Sequence, residues 1–263
     1  MTERANKVAT VTLAFWVMKI CATTVGETGG DMLSMTLGLG YAASTVLLLG
    51  LFIAALVAQL RAKTFHPALY WAVILATSTA GTTLSDFMDR SLGLGYAQGA
   101  AILATILVGI LLVWRFGLGS VSVSRIEDRK VELLYWAAIL TSNTLGTALG
   151  DFLSDSSGLG FAMSNLLIGG AILGTAIVYR FRPRFETALF WIAFVLTRPF
   201  GATMGDLLTK NPVQGGLGFG TIGASSILLA VLSVFLMREC GRGRAAVQSA
   251  GACPSSLPPS SIS

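Results

Sequence analysis

The sequence predicts an all-α polytopic membrane protein: eight transmembrane helices from four tandem two-helix repeats, pseudo-symmetric about the membrane normal. Three observations predict it. One pattern occurs four times, an aromatic pair, an Asp fifteen residues on, then a Gly-Leu-Gly-aromatic run. It reads Phe15-Trp16, Asp31, Gly38-Leu39-Gly40-Tyr41, then Tyr70-Trp71, Asp86, Gly93-Leu94-Gly95-Tyr96. The third copy is Tyr135-Trp136, Asp151, Gly158-Leu159-Gly160-Phe161, and the fourth Phe190-Trp191, Asp206, Gly216-Leu217-Gly218-Phe219. A period of 55 to 65 residues in an apolar chain marks a tandem membrane repeat. The second observation is composition: 54% hydrophobic and 12% charged residues leave too few charges to cover a soluble globule. The third is the segregation of charge by loop, which is a topology signal and sets aside nucleic acid as the reason for the basic excess.

The candidate spans run over 9–30, 41–60, 68–88, 96–115, 132–152, 161–180, 187–207 and 219–237. Each is long enough for about 30 Å of hydrocarbon at 1.5 Å per residue. They group into repeats over about 8–61, 62–116, 131–181 and 182–238, a membrane domain of residues 1–238. Arg4 and Lys7 precede the first span, Arg61 and Lys63 follow the second, and Arg115, Arg125, Arg129 and Lys130 lie between the fourth and fifth. Arg180, Arg182 and Arg184 follow the sixth, and Arg238, Arg242 and Arg244 the eighth. These fourteen of eighteen basic residues fall on one side, which the positive-inside rule assigns to the cytoplasm, with both termini there. The opposite connections carry Asp31, Asp86, Asp89, Asp151, Asp155 and Asp206 against only Arg90 and Lys210. An even number of spans per repeat sets all four the same way up. The first span resembles a signal peptide in length, but Lys19 and its match to three later spans predict that it is retained.

The aromatic pairs and the aromatic residues that open the return helices fit interfacial belts. From Glu239 onward the chain turns to Gly, Ser, Pro and Ala without periodicity, which predicts a disordered cytoplasmic tail over 239–263. Cys21, Cys240 and Cys253 have no paired spacing and His66 stands alone, so no disulfide framework, zinc set or cofactor is expected.

The odd spans carry the chemistry. Aligned on Trp, they share a stripe at i, i+3, i+4, i+7 and i+8, which lies on one helical face. It reads Thr23, Gly26, Glu27, Gly30, Asp31, then Ser78, Gly81, Thr82, Ser85, Asp86. The other copies are Asn143, Gly146, Thr147, Gly150, Asp151 and Arg198, Gly201, Ala202, Gly205, Asp206. Its small-x-x-x-small pairs allow close backbone approach, a helix-packing seam where lipid supplies no hydrophobic drive. The odd helices are therefore expected inside and the apolar return helices outside. Four equivalent Asp would form an acidic ring at the outer end, attracting cations as carboxylate rings at pore mouths do. The alternative is that each Asp ends its helix, bonds the turn and faces water.

About 12 Å deeper by helical rise lie Thr23, Ser78, Asn143 and Arg198, polar but unlike one another. Lys19 stands one turn to the cytoplasmic side of Thr23, Glu27 one turn to the outer side, and Arg198 precedes Pro199. Intramembrane charges mark candidate sites, and Glu27 with Arg198 either binds a solute or pairs across helices to lock the first repeat to the last. A potassium-filter reading of the Gly-Leu-Gly run fails, because a tight turn already explains the glycines and no pore helix precedes them. Enzyme chemistry finds no Gly-x-Ser-x-Gly and no His placed to activate a nucleophile.

With these residues in hand, the chain resembles a bacterial family of uncharacterised membrane proteins built from four tandem copies of a short repeat, of unknown function, with a Gly-Asp motif. Thr23 to Asp31, Gly150-Asp151 and Gly205-Asp206 carry the resemblance, which covers about residues 8 to 237 and departs at Ser85-Asp86. It implies integral membrane residence. The function expected from the residues is an inner-membrane permease for a small ion or solute. Secondary transport is favoured over a channel, and a cation or proton-coupled process over an anion. A scaffold or accessory subunit is the competing expectation. The expected partners are the bilayer and a small solute.

Overall fold

The computed structural model describes residues 9–62, 64–118, 128–182 and 185–251. Among them are eight long helices, α1 Leu13–Asp31, α2 Tyr41–Arg61, α3 Pro67–Asp86 and α4 Tyr96–Leu118, then α5 Arg129–Asp151, α6 Gly160–Phe181, α7 Glu186–Thr209 and α8 Gly220–Gly251. Local chemistry sets several starts. Thr12 caps α1 by accepting from the Phe15 amide at 3.3 Å, Asp128 caps α5, and Pro67 opens α3, where its missing N–H costs nothing.

Helices α1, α3 and α5 each end on the repeat's Asp and run into one π-helical turn, Met32–Thr36, Phe87–Ser91 and Phe152–Ser156. Two glycines with φ near +70° then reverse the chain, Gly38 and Gly40 in the first repeat. An L side chain is strained at such φ, so the turn needs both glycines. The fourth repeat departs from the expected register. Its left-handed pair is Gly218 and Gly220 rather than Gly216 and Gly218. The connection after Asp206 is longer and takes up its extra residues in a short 3₁₀ turn, Pro212–Gln214, so the run slides two residues on and Thr221 takes the place of Tyr41.

The odd helices close into a ring, α1 against α3 and α7, and α5 against the same two. Each even helix lies outside, on the odd helix that follows it: α2 on α3, α4 on α5, α6 on α7, and α8 on α1. Five helices, α2, α4, α6, α7 and the first part of α8, are long and apolar enough to cross a membrane. In the four outer spans only 17–22% of the most apolar window is buried, against 67% in α7. Helices α1, α3 and α5 are less apolar because their inward stripe is polar, and in the ring that stripe faces protein.

Two expectations are corrected. The aromatic pairs do not form an exposed belt: Tyr70, Trp71, Tyr135 and Trp136 are buried between ring helices. Tilted contacts link Phe15 to Trp71 at 5.6 Å and Tyr70 to Trp136 at 5.7 Å, and the Tyr70 and Tyr135 hydroxyls bond at 2.7 Å. Large rings fill the ring's aromatic end, where the two Tyr hydroxyls satisfy each other and the Trp71 indole donates to Glu239. The chain from Glu239 does not turn irregular at once. Helix α8 continues to Gly251, over Ala, Arg and Gln that favour helix, while 252–263 lie outside the described residues.

Candidate functional site

The stripe at i, i+4 and i+8 becomes a stack of layers down the ring. At the acidic end Asp31, Asp86, Asp151 and Asp206 are all buried, and they do not face water bare. Arg90 binds Asp86 at 3.0 Å and Asp151 at 3.5 Å, while Lys210 binds Asp31 at 3.0 Å and Asp206 at 3.1 Å. Two cations thus cross-link four carboxylates from four helices. Burial opposes the charge of both, but the carboxylates outweigh it and hold Arg90 and Lys210 above their ordinary pKa. The Arg90 guanidinium also lies over the Tyr96 ring, 5.5 Å from its centroid. One carboxylate oxygen each from Glu27, Asp31 and Asp206 lie within 4.8 Å of one another, a donor set suited to a hard cation, and the Lys210 ammonium binds two of the three.

The next layers are governed by Arg198. Its Nη1 donates to Glu27 Oε2 at 3.1 Å and to the Thr23 carbonyl at 3.3 Å. Its Nη2 donates to the Ser78 carbonyl at 3.2 Å, Thr82 Oγ1 at 2.5 Å and Thr147 Oγ1 at 2.7 Å. A side chain from α7 therefore bonds α1, α3 and α5 together at the centre. The planar five-donor fork of arginine permits this, and a lysine could not reproduce it. Thr82 and Thr147 also donate to Glu27 Oε2, at 3.2 and 3.4 Å.

One layer toward the aromatic end lie Lys19, Ile74, Ile139 and Phe194, all fully buried. The Lys19 ammonium donates to Asn143 Oδ1 at 3.4 Å and stands 4.1 Å from the Phe194 centroid. Among the described residues no carboxylate comes within ion-pair distance of it. Asn143 in turn donates to Thr77 Oγ1 at 2.9 Å.

Of the sequence-predicted residues, Glu27, Arg198, Thr23 and Ser78 come together, and Asn143 joins Lys19. Thr23 and Ser78 meet Arg198 through backbone carbonyls. The Thr23 hydroxyl bonds carbonyls of Lys19, Ile20 and Thr197, and the Ser78 hydroxyl is buried without a partner. The glycines of the stripe lie where neighbouring helices meet. A Cβ on Gly26, Gly146 or Gly201 would overlap Ser78, Arg198 or Thr23, and on Gly81 would lie 3.0 Å from Asn143. One on Gly30, Gly150 or Gly205 would approach Thr82, Ala202 or Glu27 within 3.0 Å. Each such contact joins adjacent ring helices, and the last pairs, Gly201 with Thr23 and Gly205 with Glu27, close the ring.

Sequence reasoning missed Arg90 and Lys210 as site residues. The signal was present: a basic residue stands four after the Asp in the second and fourth repeats only. It also left out Thr82 and Thr147, which stand in the stripe but gain their meaning only from the guanidinium that reaches them.

A family model described as a Repeat of Unknown Function (DUF347) matches the chain four times, at residues 14–65, 69–117, 134–185 and 189–240. The chain belongs to this family. Each DUF347 match spans one ring helix and the outer helix after it, so the repeat that defines the family is also the unit that builds the site. Neither the curated proteins nor the solved structures include a match.

Proposed function

We propose that this DUF347 chain is an eight-span inner-membrane permease, a secondary transporter for a small ion or solute in which a cation or proton-coupled process is favoured. Both termini lie in the cytoplasm, and the four repeats are pseudo-symmetric about the membrane normal. The carrying observation is the column of buried polar and charged groups along the ring, from Lys19 through Arg198 and Glu27 to the four Asp, inside a shell of apolar helices. Charge inside an apolar shell is costly, and it is kept where it serves a path, a relay or a lock. Small-x-x-x-small contacts would hold the ring helices together without hydrophobic drive.

In this reading the described state is closed at three levels. Arg90 and Lys210 cover the acidic end, Arg198 fills the centre, and the buried aromatic rings fill the other end. Alternating access would open one end at a time around Glu27. A cation or proton that neutralises Glu27 competes with Arg198 for it, and that competition would couple binding to release of the central cross-link. Asp31, Asp86, Asp151 and Asp206 would gather cations once Arg90 and Lys210 swing away, and Asn143 and Lys19 would meet the solute beyond the centre.

The test is flux into proteoliposomes, with monovalent and divalent cations and small anions, with and without a pH gradient. Saturable flux lost in Glu27→Gln is the expected result. Flux that survives Glu27→Gln but falls in Asp151→Asn would instead indicate a pore with an acidic mouth.

One observation favours a second reading, a non-transporting scaffold: Arg198 alone ties four helices, as a structural rivet would. That reading requires no flux for any solute from folded, inserted protein.

A further inference from the structure

Lys19 and Arg198 are both fully buried inside the ring, and of the two only Arg198 has a carboxylate, Glu27. Lys19 starts in the layer of Ile74, Ile139 and Phe194, yet its ammonium reaches one layer outward, to Asn143 Oδ1 at 3.4 Å. Since α1 packs on α3 and α7, and α5 on the same two, that bond crosses the ring from α1 to α5. At its level each ring helix brings a polar side chain: α1 Lys19, α3 Ser78, α5 Asn143 and α7 Arg198. Donors there outnumber acceptors. The Ser78 hydroxyl and Arg198 Nε are buried without a partner. Among the described residues the ammonium makes no hydrogen bond beyond the one to Asn143. Asn143 turns its amide nitrogen to the Thr77 hydroxyl, which donates in turn to the Ile74 carbonyl. Charge is matched only on the outer side, where Arg198 Nη1 engages Glu27.

We infer that this level of the ring binds a small monovalent anion of the size of chloride, held by Lys19 Nζ, Ser78 Oγ and Arg198 Nε. A buried donor without an acceptor is costly, and a buried charge without a counter-charge is costlier. One anion answers both, because it carries the missing charge and accepts several hydrogen bonds at once. Enclosure by the ring helices excludes a bulky organic anion, and a divalent oxyanion loses far more hydration on entering such a shell. Ile74, Ile139 and the Phe194 ring, 4.1 Å from the ammonium, close the level toward the aromatic end. On the outer side Glu27 and the anion take different nitrogens of one guanidinium, so neither displaces the other. That the anion is the carried solute rests on the permease reading, in its proton-coupled form. That it binds rests on the donors alone.

The test melts the purified full chain, in nanodiscs of neutral lipid and sodium gluconate, while chloride or sulfate replaces gluconate at constant ionic strength. A saturable rise in melting temperature with chloride, and none with sulfate, is expected. Lys19→Met, which keeps the bulk of the side chain and removes the ammonium, should abolish the rise. In Ser78→Ala the half-saturating chloride concentration should increase about tenfold, the loss of one hydrogen bond to a charged group. If Lys19→Met does not fold, Ser78→Ala decides the matter, since its hydroxyl has no partner to lose. A wild type that melts alike in chloride and gluconate overturns the proposal, for the free donors would then hold water or an uncharged Lys19. So does an equal saturable rise with sulfate, or a chloride response unchanged in Ser78→Ala. Saturable binding without chloride flux in proteoliposomes would remove the anion from the permease reading and leave the site standing.

Discussion

At the scale of the residue, Arg198 and Glu27 depend on one another. Neither is exposed, and each satisfies the other's charge at 3.1 Å with help from Thr82 and Thr147. Breaking such a pair costs far more than replacing both members, because the charge left behind stays buried. Arg198→Met should therefore lower stability by about 3–5 kcal/mol, and the double variant Arg198→Met with Glu27→Met should recover most of that loss. Thermal unfolding of the detergent-solubilised protein reads both, and a double variant no better than the single would remove the coupling. Lys210→Met strips the cation from Asp31 and Asp206 and should cost about 3 kcal/mol in the same assay. A Lys210→Met protein that melts with the wild type would show that these carboxylates do not need it.

At the scale of the element, the helix glycines divide into those at helix contacts and those on the outer surface. A Cβ on Gly146 would meet Arg198 and Pro199, whereas one on Gly174 of α6 meets nothing within 4 Å. Gly146→Ala should destabilise by about 2–3 kcal/mol through forced separation of α5 from α7. Gly174→Ala should be neutral or stabilising by up to about 1 kcal/mol, since alanine is the better helix former. Equal melting temperatures for the two would contradict the close α5–α7 approach. The helices themselves were legible from spacing alone, because the Asp, the glycine pair and the Trp recur at fixed distances. The π-helical turn after each Asp was not, since nothing in Met32–Thr36 or Phe87–Ser91 distinguishes a wide turn from a tight one. The slide of the fourth turn from Gly216 to Gly218 was hidden too, because a five-residue lengthening of that connection competes with the sequence match.

At the scale of the whole molecule, the closed ring with an even number of helices per repeat makes a topological prediction. Reporter enzymes that work only in the cytoplasm should be active on both termini, and a cysteine at Asp155 should react with an impermeant thiol reagent from outside. Labelling of that cysteine only after the membrane is opened would invert the topology drawn from the loop charges. The aromatic end shows how far pattern reading carries. Tyr and Trp near helix ends usually form an outward belt, but here the ring helices bring them together in tilted and edge-to-face contacts, and most are buried among themselves.

The sequence by itself determined the repeat, its eight helices, the inward stripe and the layers to which Lys19, Thr23, Glu27 and the four Asp belong, because helical periodicity and tandem spacing are properties of the chain alone. Tertiary structure decided which charges meet. That Arg198 reaches Glu27 and Lys210 reaches Asp31, from the last repeat to the first, depends on ring closure, and that Arg90 bridges Asp86 and Asp151 depends on the packing of α3 against α5. Packing of the ring helices sets residues 61 to 179 positions apart at hydrogen-bond distance, and no local pattern encodes the partner across such gaps.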